Sequence, residues 1–286
     1  MNIWKPSGIT SHTAVNRVRR ILNIKRVGHT GTLDPMAEGV LPICIGKATR
    51  TADLIAGAKK GYRAAIKLGI TTDTEDITGT VLTSCTPDVT PEQINVVSEE
   101  FVGEILQVPP MYSAVHHNGK RLYELARQGV TVERKSRQIT IHSLTVSDIM
   151  DDSFCIDVIC SKGTYIRTLC ADIGQKLGCG ATMTALTRTR SGIFTADTAV
   201  TLEDFEKDPE KYIIPIDRLF ESYRRVELNA DDVKRVKTGL SPRTRIAEGT
   251  ICRLYSEDGE FLCISESRKT ERMNEFKMIT GFYEVG

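Results

Sequence analysis

The chain has 286 residues, enough to bury a sizeable core as one large domain or as a catalytic domain with a small appendage. A hydrophobic fraction of 40%, a charged fraction of 26% and no apolar run near the roughly 20 residues of a bilayer span mark a soluble globular protein and exclude membrane-spanning helices. The net charge of +1 names no partner, and an N-terminus with Trp4, Lys5 and Pro6 instead of an apolar segment excludes a secretory signal, so the expected location is the cytoplasm.

Ser11 is placed to cap a helix running to about Leu22, with Val15, Val18 and Leu22 on one stripe and Arg17, Arg19 and Arg20 on the others. Residues 28–46 are rich in Gly and Pro and read as a structured loop entering a strand. A strand is expected from Tyr62 to Ile70. Thr90-Pro91-Glu92-Gln93 opens a helix to about Glu100, with a capping-box pair and Pro at the first helical position. Residues 109–137 begin with Pro109-Pro110 and turn polar and basic, in the manner of an insertion or lid. Strands follow at about 138–149 and 153–161, and alternation puts Phe154, Ile156, Val158 and Cys160 on one face.

The stretch Gly163 to Tyr165 turns into a helix to about Leu177, ended by Gly178. Thr201 caps a short helix, and another runs from Asn229 to Gly239. Asp258-Gly259 is a strong hairpin signal between short strands near 250–255 and 260–265, and a last strand lies near 275–283. Strands and helices alternate without a βαβ period, so the expected fold class is α+β. Its parts are a body over 1–227 and a small β-rich domain over 228–286.

Charge is segregated along the chain. Residues 1–70 carry 12 Lys/Arg against 3 Asp/Glu, residues 71–110 carry 8 acids and no Lys or Arg, and residues 111–137 carry 6 bases against 2 acids. Such blocks suit a polyanion-binding face, although folding can also disperse them. The eight cysteines show no C-x-x-C spacing and several sit in strand-like runs, so reduced, buried thiols are expected rather than zinc ligands or disulfides. The five histidines form no H-x-x-x-H or H-E-x-x-H pattern, and no metal site is expected. Gly39 to Lys47 is not a phosphate loop, because six residues separate its glycines and Ala48 follows the lysine.

The segment that carries chemistry is Gly28-His29-Thr30-Gly31-Thr32-Leu33-Asp34-Pro35-Met36-Ala37-Glu38-Gly39. Pro35 steers Asp34 away from helical backbone and the glycines permit tight turns, so the carboxylate is presented from a rigid loop. Lys25, Arg26, Lys47 and Arg50 flank it and suit phosphates. Without metal ligands or a serine-nucleophile motif, one carboxylate acting as nucleophile or base is the simplest chemistry.

GHTGTLDP followed by GVLPICIGKATR resembles the catalytic motif of the TruB family, the bacterial tRNA pseudouridine synthases that modify the T-loop uridine at tRNA position 55. Three more stretches match in order: IWKPSGITSH at 3–12, VPPMYSAVHHNGKRLYELARQG at 108–129 and GTYIRTLCADIG at 163–174. Together they cover most of residues 1–195. The resemblance implies a mixed sheet with flanking helices, an RNA-gripping insertion at about 108–137, and a C-terminal β domain of the PUA type.

It also implies a cofactor-free reaction on a flipped-out uridine in the T-arm of tRNA. Asp34 becomes the catalytic carboxylate, by attack on the base or on C1′ or by removal of the 2′ proton. Tyr62 and Tyr165 line the base pocket, and Arg167, read as two residues along an extended segment from Tyr165, pairs with Asp34. An arginine partner favours a charged carboxylate. Leu186 packs near the base, or is plain core. His29 stacks on RNA or fills the gap left by the base, or is a hydrogen-bonded structural residue. Lys5, Lys25, Arg26, Lys120, Arg121 and Arg188 are candidate RNA contacts, with solvated surface charge as the alternative.

The chain starts almost at the Lys-Pro element, so an edge strand drawn from a longer N-terminus is expected to be missing. Two competing readings are a guide-RNA-dependent pseudouridine synthase and an RNA-binding folding chaperone. The basic insertion favours direct tRNA binding over a guide, and the presence of Asp34, Tyr62 and Arg167 opposes loss of catalysis. A monomer is expected.

Overall fold

The structure, a computed structural model, describes residues 1–271 and 273–283. The final three residues expected in the tail domain, 284–286, lie outside the described residues, as does position 272. The body opens with β1 (Asn2–Lys5), α1 (Ser11–Leu22), β2 (Val27–His29), β3 (Glu38–Ile45), α2 (Ala52–Ala56), β4 (Lys60–Leu68), β5 (Ile70–Thr72) and β6 (Val81–Ser84). It continues with α3 (Pro91–Glu99), β7 (Gly103–Gln107), β8 (His116–His117), β9 (Lys120–Arg121), α4 (Leu122–Ala126), β10 (Arg137–Ser147) and β11 (Ser153–Cys160). Then come α5 (Ile166–Lys176), β12 (Ala181–Ser191), β13 (Phe194–Thr195) and α6 (Leu202–Lys207). The tail holds β14 (Arg224–Leu228), α7 (Ala230–Lys237), β15 (Arg243–Thr244), β16 (Ile251–Ser256), β17 (Phe261–Lys269) and β18 (Asn274–Gly281).

One mixed sheet runs in the order β1-β3-β12-β4-β11-β10-β7, with β2 beside β3 and β13 beside β12. Only the β3–β12 pairing on this path is parallel. The expected alternation on β11 holds: Phe154, Ile156, Val158 and Cys160 are all buried, against the core beneath α3 and α5. A second core lies where α1 and α6 cover β1 and β3. The α+β class is therefore that of the structure. No helix among the described residues is long and apolar enough to cross a membrane.

Local signals place several elements as expected. Thr90 and Gln93 form the reciprocal capping box of α3, and Thr201 and Asn229 cap α6 and α7. Ser11 is a correction: Thr10 caps α1 by accepting from Thr13 N at 3.0 Å, and Ser11 is the first helical residue. Its hydroxyl is buried and committed elsewhere, to both backbone groups of Leu33. At the N-terminus, Asn2–Lys5 forms the edge strand of the body sheet, paired with β3. The central strand β12 is not evident in sequence, since Thr184, Thr187, Thr189 and Arg190 make it read as polar.

Within the insertion, Asn118-Gly119 turns β8 into β9 with positive φ at both positions, as a two-residue hairpin requires. The tail sheet, β14-β16-β17-β18-β15, takes in Arg224–Leu228, so the boundary expected at 227/228 falls inside its first strand. Cys85 is exposed and all eight cysteines are free thiols.

Candidate active site

The loop from His29 to Glu38 is suspended between β2 and β3, and polar groups from four directions hold its backbone. Ser11 Oγ accepts from Leu33 N at 2.8 Å and donates to Leu33 O at 3.0 Å. Gly8 N donates to Pro35 O at 2.8 Å. Arg188, 1% exposed, donates from Nη2 to Gly31 O, from Nη1 to Thr32 O and from Nε to Val40 O at 3.1, 3.2 and 2.6 Å. Lys5, 0% exposed, donates from Nζ to the carbonyls of Pro6, Ile9 and Pro35. Gly39 must be glycine here, with φ +110° and Arg188 O only 2.3 Å from where a Cβ would stand. That close approach is the parallel crossing of β3 over β12.

Lys5 and Arg188 are therefore corrections. Both were expected among the RNA contacts, and both are buried cations whose donors are spent on carbonyls beneath the loop. Burial lowers the Lys5 ammonium to about 8, with Asp34 opposing the shift. His29 is half-buried, and its Nδ1 accepts from Gly31 N at 3.3 Å. Burial, then Arg188, pull its pKa down, so the ring is a neutral brace of the loop at pH 7.

Asp34 stands at the rim of this frame. Its Oδ2 is 3.0 Å from Arg167 Nε, and its side chain is 36% exposed against 7% for the arginine. Tyr165 is extended, as expected, but Arg167 is not: Tyr165 is the N-cap of α5 and Arg167 its second residue. The remaining guanidinium nitrogens are also engaged. Nη1 donates to Thr74 O at 3.0 Å and lies 3.3 Å from Asp76 Oδ2, and Nη2 donates to Tyr112 O at 2.9 Å. Asp76 Oδ1 accepts from Thr74 Oγ1, Thr78 N and Thr78 Oγ1 at 3.0, 3.0 and 2.5 Å.

Asp76 escaped the sequence reading. Its signal was an acid followed two residues on by Thr78, an Asx-turn pattern, inside a segment without a basic residue. Gln107 escaped too, as a lone amide before Pro109-Pro110.

Tyr62 and Leu186 form the wall beside this ion pair. They lie on adjacent strands, Tyr62 opposite Arg188 and Leu186 opposite Ala64, and join Leu33, Met36 and Ala37 in one apolar cluster. Burial raises the Tyr62 phenol above its ordinary value, against the pull of the Arg188 charge. The site thus combines an accessible carboxylate, a buried guanidinium, a phenol and an apolar wall. Among the described residues no group of three or more His, Cys, Asp or Glu could hold a metal ion.

Lys25, Arg26, Lys120 and Arg121 are exposed. Folding neutralises part of the expected basic face, since Arg17 pairs with Glu203 and Glu206, Arg63 with Asp148 and Asp157, and Lys67 with Asp152.

The family description "TruB family pseudouridylate synthase (N terminal domain)" matches residues 19–166, and "tRNA pseudouridylate synthase B C-terminal domain" matches residues 167–221. The chain belongs to the TruB family. Relatives named tRNA pseudouridine synthase B include that of Alkaliphilus oremlandii, 51% identical over 76% of this chain and 73% of that one. The Clostridium perfringens protein is 48% identical over 91% and 87%, and the Clostridium kluyveri protein 44% identical over 99% and 98%. Among solved structures, a Cbf5-Nop10-Gar1 complex matches with TM-score 0.74 and 29% identity, over 100% of this chain and 85% of that one. An H/ACA RNP bound to a substrate RNA containing 2′-deoxyuridine matches with TM-score 0.72, 26% identity and the same coverage. As a TruB member the chain is a pseudouridine synthase, and its α+β body is the one those structures share.

Proposed function

We propose that this chain isomerises the T-loop uridine of tRNA to pseudouridine, with Asp34 as catalytic carboxylate, without a cofactor or guide RNA, and as a monomer. The observation that carries the reading is the Asp34–Arg167 pair at the rim of the apolar wall. In the reaction the N1–C1′ bond breaks, the uracil turns, and a C5–C1′ bond forms while C5 loses a proton and N1 gains one. Composition is unchanged, so neither an oxidant nor an energy donor enters the balance.

The reacting base leaves its stack to reach such a pocket. Asp34 is the carboxylate accessible to it, because Asp76 is 7% exposed and both its oxygens are engaged. Tyr62, protonated at pH 7 by its raised pKa, offers the uracil a ring face and a hydroxyl rather than a phenolate base. Leu186 supplies apolar contact behind it. Tyr165, half-buried at the start of α5, closes the side next to Arg167. The exposed Lys25, Arg26, Lys120 and Arg121 suit the phosphates of the T-arm.

Incubation with an unmodified tRNA transcript and a metal chelator, followed by pseudouridine mapping, tests the proposal. One product in the T-loop is expected. Product only upon addition of guide RNA would favour the guided reading, which has the likeness to the H/ACA RNP structure on its side. Asp34→Asn should lower turnover by at least about 10²–10⁴-fold while tRNA binding persists; turnover near wild type would sink the assignment.

A further inference from the structure

Gln107 is the last residue of β7, where the chain leaves the sheet for the insertion, and it is buried. Its side-chain amide meets the backbone of Tyr165, 58 residues away, at both ends. Nε2 donates to Tyr165 O at 3.0 Å, and Oε1 accepts from Tyr165 N at 2.8 Å. The pair copies the two bonds that neighbouring strands exchange.

Tyr165 is the N-cap residue of α5, and its own side chain makes no cap hydrogen bond. A helix start of this kind has no side-chain anchor of its own. The Gln107 amide supplies the anchor from outside, holding the peptide on each side of Tyr165. Arg167 lies two residues on, so its guanidinium inherits the placement. Five residues beyond Gln107, Tyr112 O accepts from Arg167 Nη2 at 2.9 Å. One short segment at the root of the insertion therefore grips both the residue that starts α5 and the arginine that faces Asp34.

We propose that Gln107 is a positioning residue for uridine isomerisation. It sets Tyr165 and Arg167 relative to Asp34 and ties that geometry to the root of the RNA-gripping insertion. The inference rests on the proposed function above. Gln107 need not touch the substrate, and its effect passes through the first turn of α5.

Gln107→Met keeps the volume of the side chain and deletes both hydrogen bonds. With unmodified tRNA, its single-turnover rate at saturating enzyme should fall roughly 10- to 100-fold while the Kd for tRNA stays within about threefold, the signature of misplacement rather than lost binding. The Gln107→Met/Tyr165→Phe double variant should be less impaired than the product of the single effects, because both act on one element. A folded Gln107→Met variant with a wild-type rate, or one whose loss lies wholly in Kd, overturns the role. Should that variant not fold, hydrogen exchange on the wild-type protein decides. The Tyr165 amide should be protected at least about 100-fold, although it sits at a helix start, and free exchange overturns the inference. A wild-type enzyme that makes no T-loop pseudouridine would sink the functional reading and this role together, whereas an active wild type beside an equally active variant sinks this role alone.

Discussion

Between His29 and Val40 the chain is gripped at almost every step, by Ser11 on Leu33, Gly8 on Pro35, and Arg188 on Gly31, Thr32 and Val40. Between Met111 and Arg121 the ties are sparser. Tyr112 O meets Arg167, Tyr123 N and Leu122 N reach back to Ser113 O and Val115 O, and the hairpin tip with Lys120 and Arg121 is exposed. Both regions are loops in composition. In the first, buried cations aim their donors at backbone carbonyls, and in the second they stay in water. A carboxylate that must meet one atom of a nucleotide needs the first kind of mount. A surface that must follow an irregular polyanion is better served by the second.

The sharpest way to break the contrast is to remove the buried brace. Arg188→Ala leaves three carbonyls without donors and a cavity beneath the loop. It should cost about 3–5 kcal/mol in urea unfolding and depress turnover in whatever fraction stays folded. An unchanged stability would mean that the loop holds itself. Ser11→Ala tests the same frame at one point. It strips both backbone groups of Leu33 of their side-chain partner, and about 1–3 kcal/mol of destabilisation is expected.

The opposite result is expected at the hairpin tip. The Lys120→Ala/Arg121→Ala double variant should keep its unfolding free energy within about 0.5 kcal/mol. Its tRNA affinity should fall, and the slope of log K against log salt should shrink by about 1–2, as two phosphate contacts are lost. An unaltered salt slope would remove these residues from the RNA-binding face.

How far sequence reaches follows the same division. The helix caps at Thr90, Thr201 and Asn229, the buried face of β11 and the turn at Asp258-Gly259 depend on neighbours a few residues away, and local pattern suffices for them. The loop around Asp34 is legible as a rigid mount because Pro restricts the backbone and Gly permits tight turns wherever they stand. Arg188 and Lys5 are not. A charged residue reads as surface by default, and only the tertiary crossing of β3 over β12 turns Arg188 inward. Asp76 and Gln107 fail for a related reason, since their partners lie 91 and 58 residues away and composition carries no trace of such pairings. Tyr165 and Arg167 do not share one extended segment, because the helix start falls between them and two-residue spacing alone does not reveal it.

A pH-dependent effect belongs to the contact between the acidic turn and α5, the helix that carries Arg167. Thr168 Oγ1 donates to Glu75 Oε2 at 2.5 Å, and Glu75 sits at φ +63°, a backbone conformation that side chains seldom adopt. Asp172, one turn further along α5, is raised from 3.8 to about 6 by burial and then by the charge of Glu75. The folded protein therefore holds the Asp172 proton more tightly than the unfolded chain between those values. Stability from this group is fully present below about 3.8 and is lost as pH rises through about 6. Asp172→Asn carries no such charge, so it should be more stable than wild type at pH 7 to 8. The gap should close as pH falls toward 4, read as Tm against pH for the two proteins in parallel. If the gap stays constant across that range, Asp172 does not titrate in the folded state, and the acidic turn and α5 meet without electrostatic strain.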